Sequence, residues 1–145
     1  FELSKFSAPS EDQMKRFGLL DPEAPIAALN LFEFHAEAQY APEDPEYGTA
    51  AANVTGEQAL AKYLEVAGNI VSGLGGRIVS SIPVEQVLVG PADEHWDRAV
   101  IVYFPSRKAF VQLGMNADFQ KISRHRKACC SNYRLLHLAG ASFGG

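Results

Sequence analysis

Residues 98–107 constrain the fold of this chain more strongly than any other stretch. Residues 98–104 have the sequence RAVIVYF, and this run of β-branched and aromatic side chains predicts a strand that is buried on both faces. Pro105 ends the strand because proline has no backbone N–H to donate. Ser106 follows as a helix N-cap, so Arg107 lies at the junction between a buried strand and a helix.

The patterns on either side of this junction predict one helix followed by the order β-α-β-β-α-β. The first predicted elements are a short helix after a capping box at residues 10–13, a strand at 26–35 and a helix after a second capping box at 55–58. A strand-like segment follows at 77–89, in which Pro83 implies an edge strand, a bulge or a break. The last elements are the strand at 98–104, a helix that begins after Ser106, falters at Gly114 and resumes at Asn116, and a strand at 133–138. Two βα units separated by a hairpin form a ferredoxin-like α+β fold, in which helices cover one face of a four-stranded antiparallel sheet.

The size of the chain and the second face of the sheet predict a single domain that pairs with itself. A chain of 145 residues is expected to form one core. We assign residues 24–145 to this domain and residues 1–23 to an N-terminal extension with a short helix. Because the second face of the predicted sheet is also apolar, a monomer would expose it to water. The simplest expectation is a homodimer whose two sheets pack face to face.

Composition argues against several classes of function. The formal net charge of −4 disfavours a nucleic-acid partner, and no apolar run approaches the ~20 residues needed to span a membrane. The only two cysteines are the neighbours Cys129 and Cys130, which favours a reducing, cytoplasmic setting. The four histidines are dispersed and there is no Walker loop or dinucleotide-binding glycine pattern, so we predict neither a metal site nor a cofactor.

Arg107 and His125 are the first candidates for chemistry. Arg107 lies in the first turn of a predicted helix, where the helix dipole disfavours a cation. Either an internal salt bridge, for example with Asp97 or Glu94, or an anionic ligand would account for it. His125 is a candidate general base because histidine titrates near neutral pH, and the alternative is a buried histidine that is hydrogen-bonded to the backbone.

Asn30 and Arg126 are candidate ligand-binding residues. Asn30 is a polar residue in the middle of an otherwise apolar strand, and burying its amide without a partner would cost about 1–3 kcal/mol. The partners are either loop backbone or a ligand. Arg126 belongs to a basic run late in its helix, which also suits the negative C-terminal end of a helix and a solvated face.

Four aromatic residues could line a pocket with polar groups, although ordinary packing is the alternative for at least half of them. These residues are Tyr40, Tyr47, Trp96 and Tyr103. Within this group we predict that Tyr47 and Trp96 bind a ligand and that Tyr103 is catalytic.

These motifs resemble the bacterial domain-of-unknown-function family numbered 1330, within the dimeric alpha-beta barrel superfamily. The residues that carry the resemblance are Leu29-Asn30-Leu31, Gly75-Gly76, Trp96-Asp97, Tyr103-Phe104-Pro105-Ser106-Arg107 and His125-Arg126. The resemblance covers about residues 24–138 and implies the ferredoxin-like fold and the homodimer. Relatives in the superfamily include cofactor-free monooxygenases, haem proteins, cyclases, isomerases and decarboxylases, so the resemblance implies no single chemistry.

Two functions follow from these residues. The first is a cofactor-free enzyme that uses proton transfer or oxygenation on a small, partly hydrophobic organic acid or enol, with Arg107 binding the anion and His125 or a tyrosine moving a proton. The second is a homodimer without turnover, which binds a ligand or is purely structural. A pocket lined by Asn30, Arg107 and His125 would favour the enzyme, whereas internal pairing of Arg107 and His125 would favour the second function.

Overall fold

The computed structural model describes residues 6–143, and its elements have the predicted order. They are α1 (Glu11–Gly18), β1 (Ile26–Phe34), α2 (Gly56–Gly73), β2 (Arg77–Pro83), β3 (Arg98–Phe104), α3 (Arg107–Met115), α4 (Ala117–Cys129) and β4 (Cys130–Ala139), with short 3-10 turns at Ala50–Ala52 and Ala141–Phe143. The four strands form one antiparallel sheet in the order β2-β3-β1-β4. The predicted ferredoxin-like α+β fold with an extra N-terminal helix is confirmed.

Three strand boundaries differ from the predicted ones. The first strand ends at Phe34 and not at residue 35, the second ends at Pro83 and not at residue 89, and the last is longer, at Cys130–Ala139. The second strand-like segment stops at Pro83, the position where the sequence predicts an edge strand, a bulge or a break, and β2 is an edge strand of the sheet. The apolar residues beyond Pro83 have no strand to pair with. Two of them, Leu88 and Val89, lie exposed in the loop that leads to β3.

The junction after β3 forms as predicted. The Ser106 hydroxyl accepts the backbone N–H of Ala109 at 3.0 Å, and α3 begins at Arg107. Asn116 separates α3 from α4, and its side chain accepts the N–H of Phe119 at 2.9 Å. The strand is buried more on one side than on the other, because Val100 and Phe104 are fully buried while their neighbours are half-buried.

The core between sheet and helices is divided into two clusters. The first contains Phe32, Ala38, Tyr40, Ala59, Leu60, Val100, Ala128, Cys129, Cys130 and Tyr133, and the second contains Ile26, Ala28, Val71, Phe104, Ala109 and Leu113. Both cysteines are free and buried. Asn30 lies between the clusters on β1, since Ala28 belongs to one and Phe32 to the other. The polar strand residue therefore lies on the helix-covered side of the sheet.

Gly56 allows three segments to meet at the start of α2. Its N–H donates to the carbonyl of His35 at 3.2 Å, and the N–H of His35 donates to the carbonyl of Cys129 at 3.0 Å. A β-carbon at position 56 would overlap both carbonyl oxygens. The end of β1, the end of α4 and the first turn of α2 can approach this closely only because residue 56 is glycine.

Among the described residues, the N-terminal extension contacts the rest of the chain both before α1 and within it. The Phe17 ring of α1 contacts the rings of Phe110 at 6.0 Å and His137 at 5.8 Å. Before α1, the carbonyl of Ser7 accepts a hydrogen bond from Arg126 at 3.1 Å. No helix among residues 6–143 is long and apolar enough to cross a membrane.

Candidate functional site

Asn30 is fully hydrogen-bonded on the helix side of the sheet. Its Nδ2 donates to the backbone carbonyls of Ala28 and Val100, both at 3.3 Å. Its Oδ1 accepts the hydroxyl of Tyr133 at 2.6 Å. The partners are therefore backbone and a tyrosine of β4, and the pairing fixes the position of the Tyr133 hydroxyl between the two core clusters.

Arg126 extends from α4 over this tyrosine. Its guanidinium carbon lies 4.7 Å from the centre of the Tyr133 ring, and its Nη2 donates to the Ser7 carbonyl. The side chain is half-buried. In the part of the chain that the structure describes, ion pairs hold Arg98 and Arg124, whereas Arg126 has no carboxylate partner.

Two tyrosine hydroxyls near Arg126 remain protonated at neutral pH. Burial raises the pKa of both Tyr63 and Tyr133, and the positive charge of Arg126 opposes this shift without reversing it. Both hydroxyls therefore keep their protons, and that of Tyr133 donates to Asn30. We call Asn30, Tyr63, Arg126 and Tyr133 the Arg126 site.

His125 belongs to a separate network that fastens the loop at residues 36–52 to α4. The Tyr40 hydroxyl and His125 Nδ1 share a hydrogen bond of 2.6 Å, and burial raises the pKa of Tyr40 to about 12. Glu46 of the same loop pairs with Arg124 through contacts of 2.7 and 2.9 Å. The pKa of Glu46 is lowered mainly by this hydrogen bond. The candidate general base is thus paired internally.

We expect His125 to make stability depend on pH. Burial, followed by the charge of Arg124, lowers the pKa of His125 below its ordinary value of 6.5, so the unfolded chain binds the proton first as the pH falls. The free energy of unfolding should therefore decrease below about pH 6.5, by up to about 1.4 kcal/mol per pH unit for this group. Burial shifts the pKa of His35 and His137 in the same direction.

Urea denaturation between pH 5 and pH 7 tests this prediction. His125→Gln retains an acceptor for Tyr40 but does not titrate, so its unfolding free energy should fall less steeply with acid than that of the native protein. His95→Gln, at an exposed histidine, is the matched control. An equal pH slope in the native protein and in His125→Gln would contradict the prediction.

Arg107 is held by backbone groups and not by an acidic side chain. Its Nη1 donates to the carbonyl of Asp21, and its own N–H donates to the carbonyl of Ala24 at 2.8 Å. The suggested salt bridge with Asp97 or Glu94 is wrong, because the ion pairs among residues 6–143 join His95 to Asp97, Arg98 to Glu57 and Arg124 to Glu46 and do not include Arg107. Arg107 thereby attaches the N-terminal extension to α3.

The four aromatic candidates do not share one pocket. Tyr40 lies beside His125, and Tyr47 is 54% exposed. Trp96 is buried with the Arg134 guanidinium 5.5 Å from its ring. Tyr103 lies on the sheet face that is not covered by helices, with Arg77 5.7 Å from its ring centre. The ligand-binding and catalytic roles given to Tyr47, Trp96 and Tyr103 stay predictions.

The structure also separates Asn30, Arg107 and His125, and it brings Asn30 and Arg126 to the same tyrosine. Tyr63 and Tyr133 were not identified from the sequence as site residues. Tyr63 occupies an apolar position of an amphipathic helix, and Tyr133 can be matched to Asn30 only through the pairing of β1 with β4. The alternation of side chains along β4 was the one sequence pattern that could have placed Tyr133 on the same face of the sheet as Asn30.

The sequence matches the family described as Domain of unknown function (DUF1330) over residues 45–141, which is more than half of the chain. The chain belongs to this family. The match begins after β1, so Asn30 of this DUF1330 protein lies outside it, whereas Arg126 and Tyr133 lie within it. The resemblance inferred from the motifs is confirmed.

Solved structures also resemble this DUF1330 protein. One is the crystal structure of methylated RPA0582 protein, which is 32% identical, with a TM-score of 0.77 and coverage of 91% of this chain and 92% of that chain. Another is RPA0582, a protein of unknown function from Rhodopseudomonas palustris, which is 32% identical, with a TM-score of 0.76 and coverage of 91% and 94%. No curated protein matches the chain.

Proposed function

We propose that this DUF1330 protein binds a small, partly hydrophobic organic anion, a carboxylate or an enolate, at the Arg126 site. The observation that carries the proposal is the half-buried Arg126 guanidinium, which has no carboxylate partner among residues 6–143. Removing a cation from water without a counter-charge is costly. An anionic ligand would supply that charge, and a planar carboxylate fits the guanidinium with two parallel hydrogen bonds.

The surroundings of Arg126 favour a ligand with an apolar part. The ring of Tyr63 on α2 lies 5.8 Å from the ring of Phe119 on α4. The two apolar clusters of the core flank the site. The tyrosine hydroxyls add donors to one end of an otherwise apolar environment. This combination of a few polar groups and apolar walls is typical of small-molecule sites.

Binding without turnover fits the geometry best, because the two groups that could move a proton are already hydrogen-bonded within the protein. His125 is engaged by Tyr40, and the Tyr133 hydroxyl is engaged by Asn30. A cofactor-free proton transfer is the second candidate, because the protonated Tyr133 hydroxyl beside Arg126 could donate to an enolate oxygen. Binding and turnover would use the same anion site.

We also propose that two copies pack together through the uncovered face of the sheet, in a cytoplasmic setting that keeps both cysteines reduced. Many of the side chains that alternate away from the helices are apolar on three neighbouring strands, although Glu33 of β1 and Arg134 of β4 lie on the same face. They include Leu29 and Leu31 of β1, Ile101 of β3, and Leu136 and Leu138 of β4. Leu29 lies directly between Ile101 and Leu136, so the apolar surface is continuous. A second copy would remove it from water.

Arg126→Gln tests the ligand-binding proposal. Charge-assisted hydrogen bonds are worth roughly 1.5–3 kcal/mol, so we expect the affinity for benzoate or phenylacetate to fall at least about tenfold. Isothermal titration calorimetry measures the affinity, and thermal unfolding checks that the variant is folded. The affinity of Arg126→Lys should lie between those of the native protein and of Arg126→Gln, because lysine keeps the charge and loses the planar pair of donors.

Arg98→Gln is the control, since it removes an arginine from an ion pair with Glu57 elsewhere on the surface. It should bind both carboxylates as the native protein does. Equal affinity in a folded Arg126→Gln variant, or no binding of either carboxylate by the native protein, would contradict the proposal.

A further inference from the structure

A groove of about 260 Å³ lies between α1, the segment that follows it and the first turns of α3. Its side chains are the apolar Phe17, Leu20, Pro22 and Val111 and the cationic Arg107 and Lys108. It is separate from the Arg126 site and is formed in part by the N-terminal extension.

The charge of this groove is positive. Both ionisable side chains that line it are cations, and no carboxylate lines it. The backbone N–H groups of Arg107 and Lys108 already donate to the carbonyls of Ala24 and Pro22, each at 2.8 Å. A ligand in the groove would therefore be held by side chains and not by the end of the helix.

Two buried nitrogen atoms beside the groove have no hydrogen-bond partner among the described residues. They are Nε of Arg107 and Nε2 of His137. The two residues are close enough that the charge of Arg107 contributes to lowering the pKa of His137, after burial. Phe17 contacts the His137 ring and also lines the groove. The ring of His137 therefore lies next to the wall of the groove, close enough to sense a charge that is bound in the groove.

The contacts of Arg107 leave part of its guanidinium without a protein partner. Its Nη1 is used by the Asp21 carbonyl and its Nε is buried, whereas within residues 6–143 Nη2 donates to no protein atom. Nη2 carries two N–H donors, and a carboxylate oxygen can accept from them in a charge-assisted hydrogen bond. The structure thus attaches the extension with one nitrogen of the guanidinium and leaves another for an anion.

We propose that this groove is a second binding site, for a short aliphatic carboxylate of the hexanoate class. The carboxylate accepts from Nη2 of Arg107 and pairs with Lys108. Its chain lies along Phe17, Leu20 and Val111. The volume, just below the range of about 300–1,000 Å³ typical of sites for drug-sized ligands, suits a short chain.

Titration with hexanoate, followed by NMR of the histidine ring protons, tests the site. We expect saturable shifts at His137 and a higher pKa for that ring with hexanoate bound, because the anion offsets the charge of Arg107. Arg107→Gln should weaken hexanoate binding at least tenfold. Because that variant also loses the contact with Asp21, Val111→Trp is the second variant, which fills the groove while Arg107 keeps its contacts and should abolish binding.

Lys121→Gln removes a cation from the exposed surface of α4 and should leave the affinity for hexanoate unchanged. Saturable shifts at His137 that disappear in Val111→Trp would support the site. The proposal is overturned if hexanoate leaves the His137 resonances unchanged, or if Val111→Trp binds hexanoate as tightly as the native protein.

Discussion

Replacing Ile101 with arginine should convert the proposed dimer into monomers. Ile101 lies near the centre of the uncovered sheet face, with Leu29 opposite it on β1 and Ser80 opposite it on β2. In the proposed dimer its side chain would be buried against a second sheet. A charge buried there without a partner costs several kcal/mol per ion, and the two-fold symmetry introduces it twice. Light scattering should give the mass of two chains for the native protein and of one chain for Ile101→Arg.

Met115→Arg is the matched control, because it places the same charge at an exposed apolar residue of α3, on the helix side of the molecule. We expect it to remain a dimer. A native protein with the mass of one chain, or an Ile101→Arg variant that stays dimeric at the same concentration, would refute face-to-face pairing.

Gly56→Ala should cause a large loss of stability for a single added methyl group. The new β-carbon would overlap the carbonyl oxygens of His35 and Cys129, and neither can move without breaking the backbone bonds that join β1, α2 and α4. Overpacking of this kind typically costs about 1–3 kcal/mol, and we expect the upper end because both obstacles are backbone. Urea denaturation measures the change.

Gly73→Ala provides the comparison at the other end of the same helix. No atom lies within 4 Å of a β-carbon at that position, so this substitution should leave stability unchanged or raise it slightly. If Gly56→Ala unfolds at the same urea concentration as Gly73→Ala, the close approach of the three segments is not what requires glycine.

The fold could be predicted because its strands and helices differ in local pattern. Residues 98–104 show a strand that ends at proline, and the two capping boxes at residues 10–13 and 55–58 form as expected. Pro83 was predicted to mark an edge strand, a bulge or a break, and β2 does end there, but which of the three applies could not be decided because apolar residues continue a strand-like pattern into the loop. A strand requires a partner, and the local sequence does not say where the partner ends.

The site was harder to predict than the fold because its residues meet through tertiary contacts. The expectation that Asn30 needs partners was correct, but Tyr133 becomes one of them only through the register of β1 and β4. The partner of Arg107 is a backbone carbonyl in the N-terminal extension, and any residue type can supply a carbonyl. Composition and spacing carry no signal for such a contact.

The form of β2 has a consequence for how this sheet can associate. An edge strand offers free donors and acceptors to any strand that arrives beside it. In β2 the register is interrupted between Ile78 and Ser80, and Pro83 supplies no donor at the end of the strand. An incoming strand would find a mismatched ladder, so edge-to-edge growth of the sheet is blocked on this side. The β2 edge therefore favours the proposed pairing through the sheet face, which joins two copies and then stops, over growth of the sheet from strand to strand.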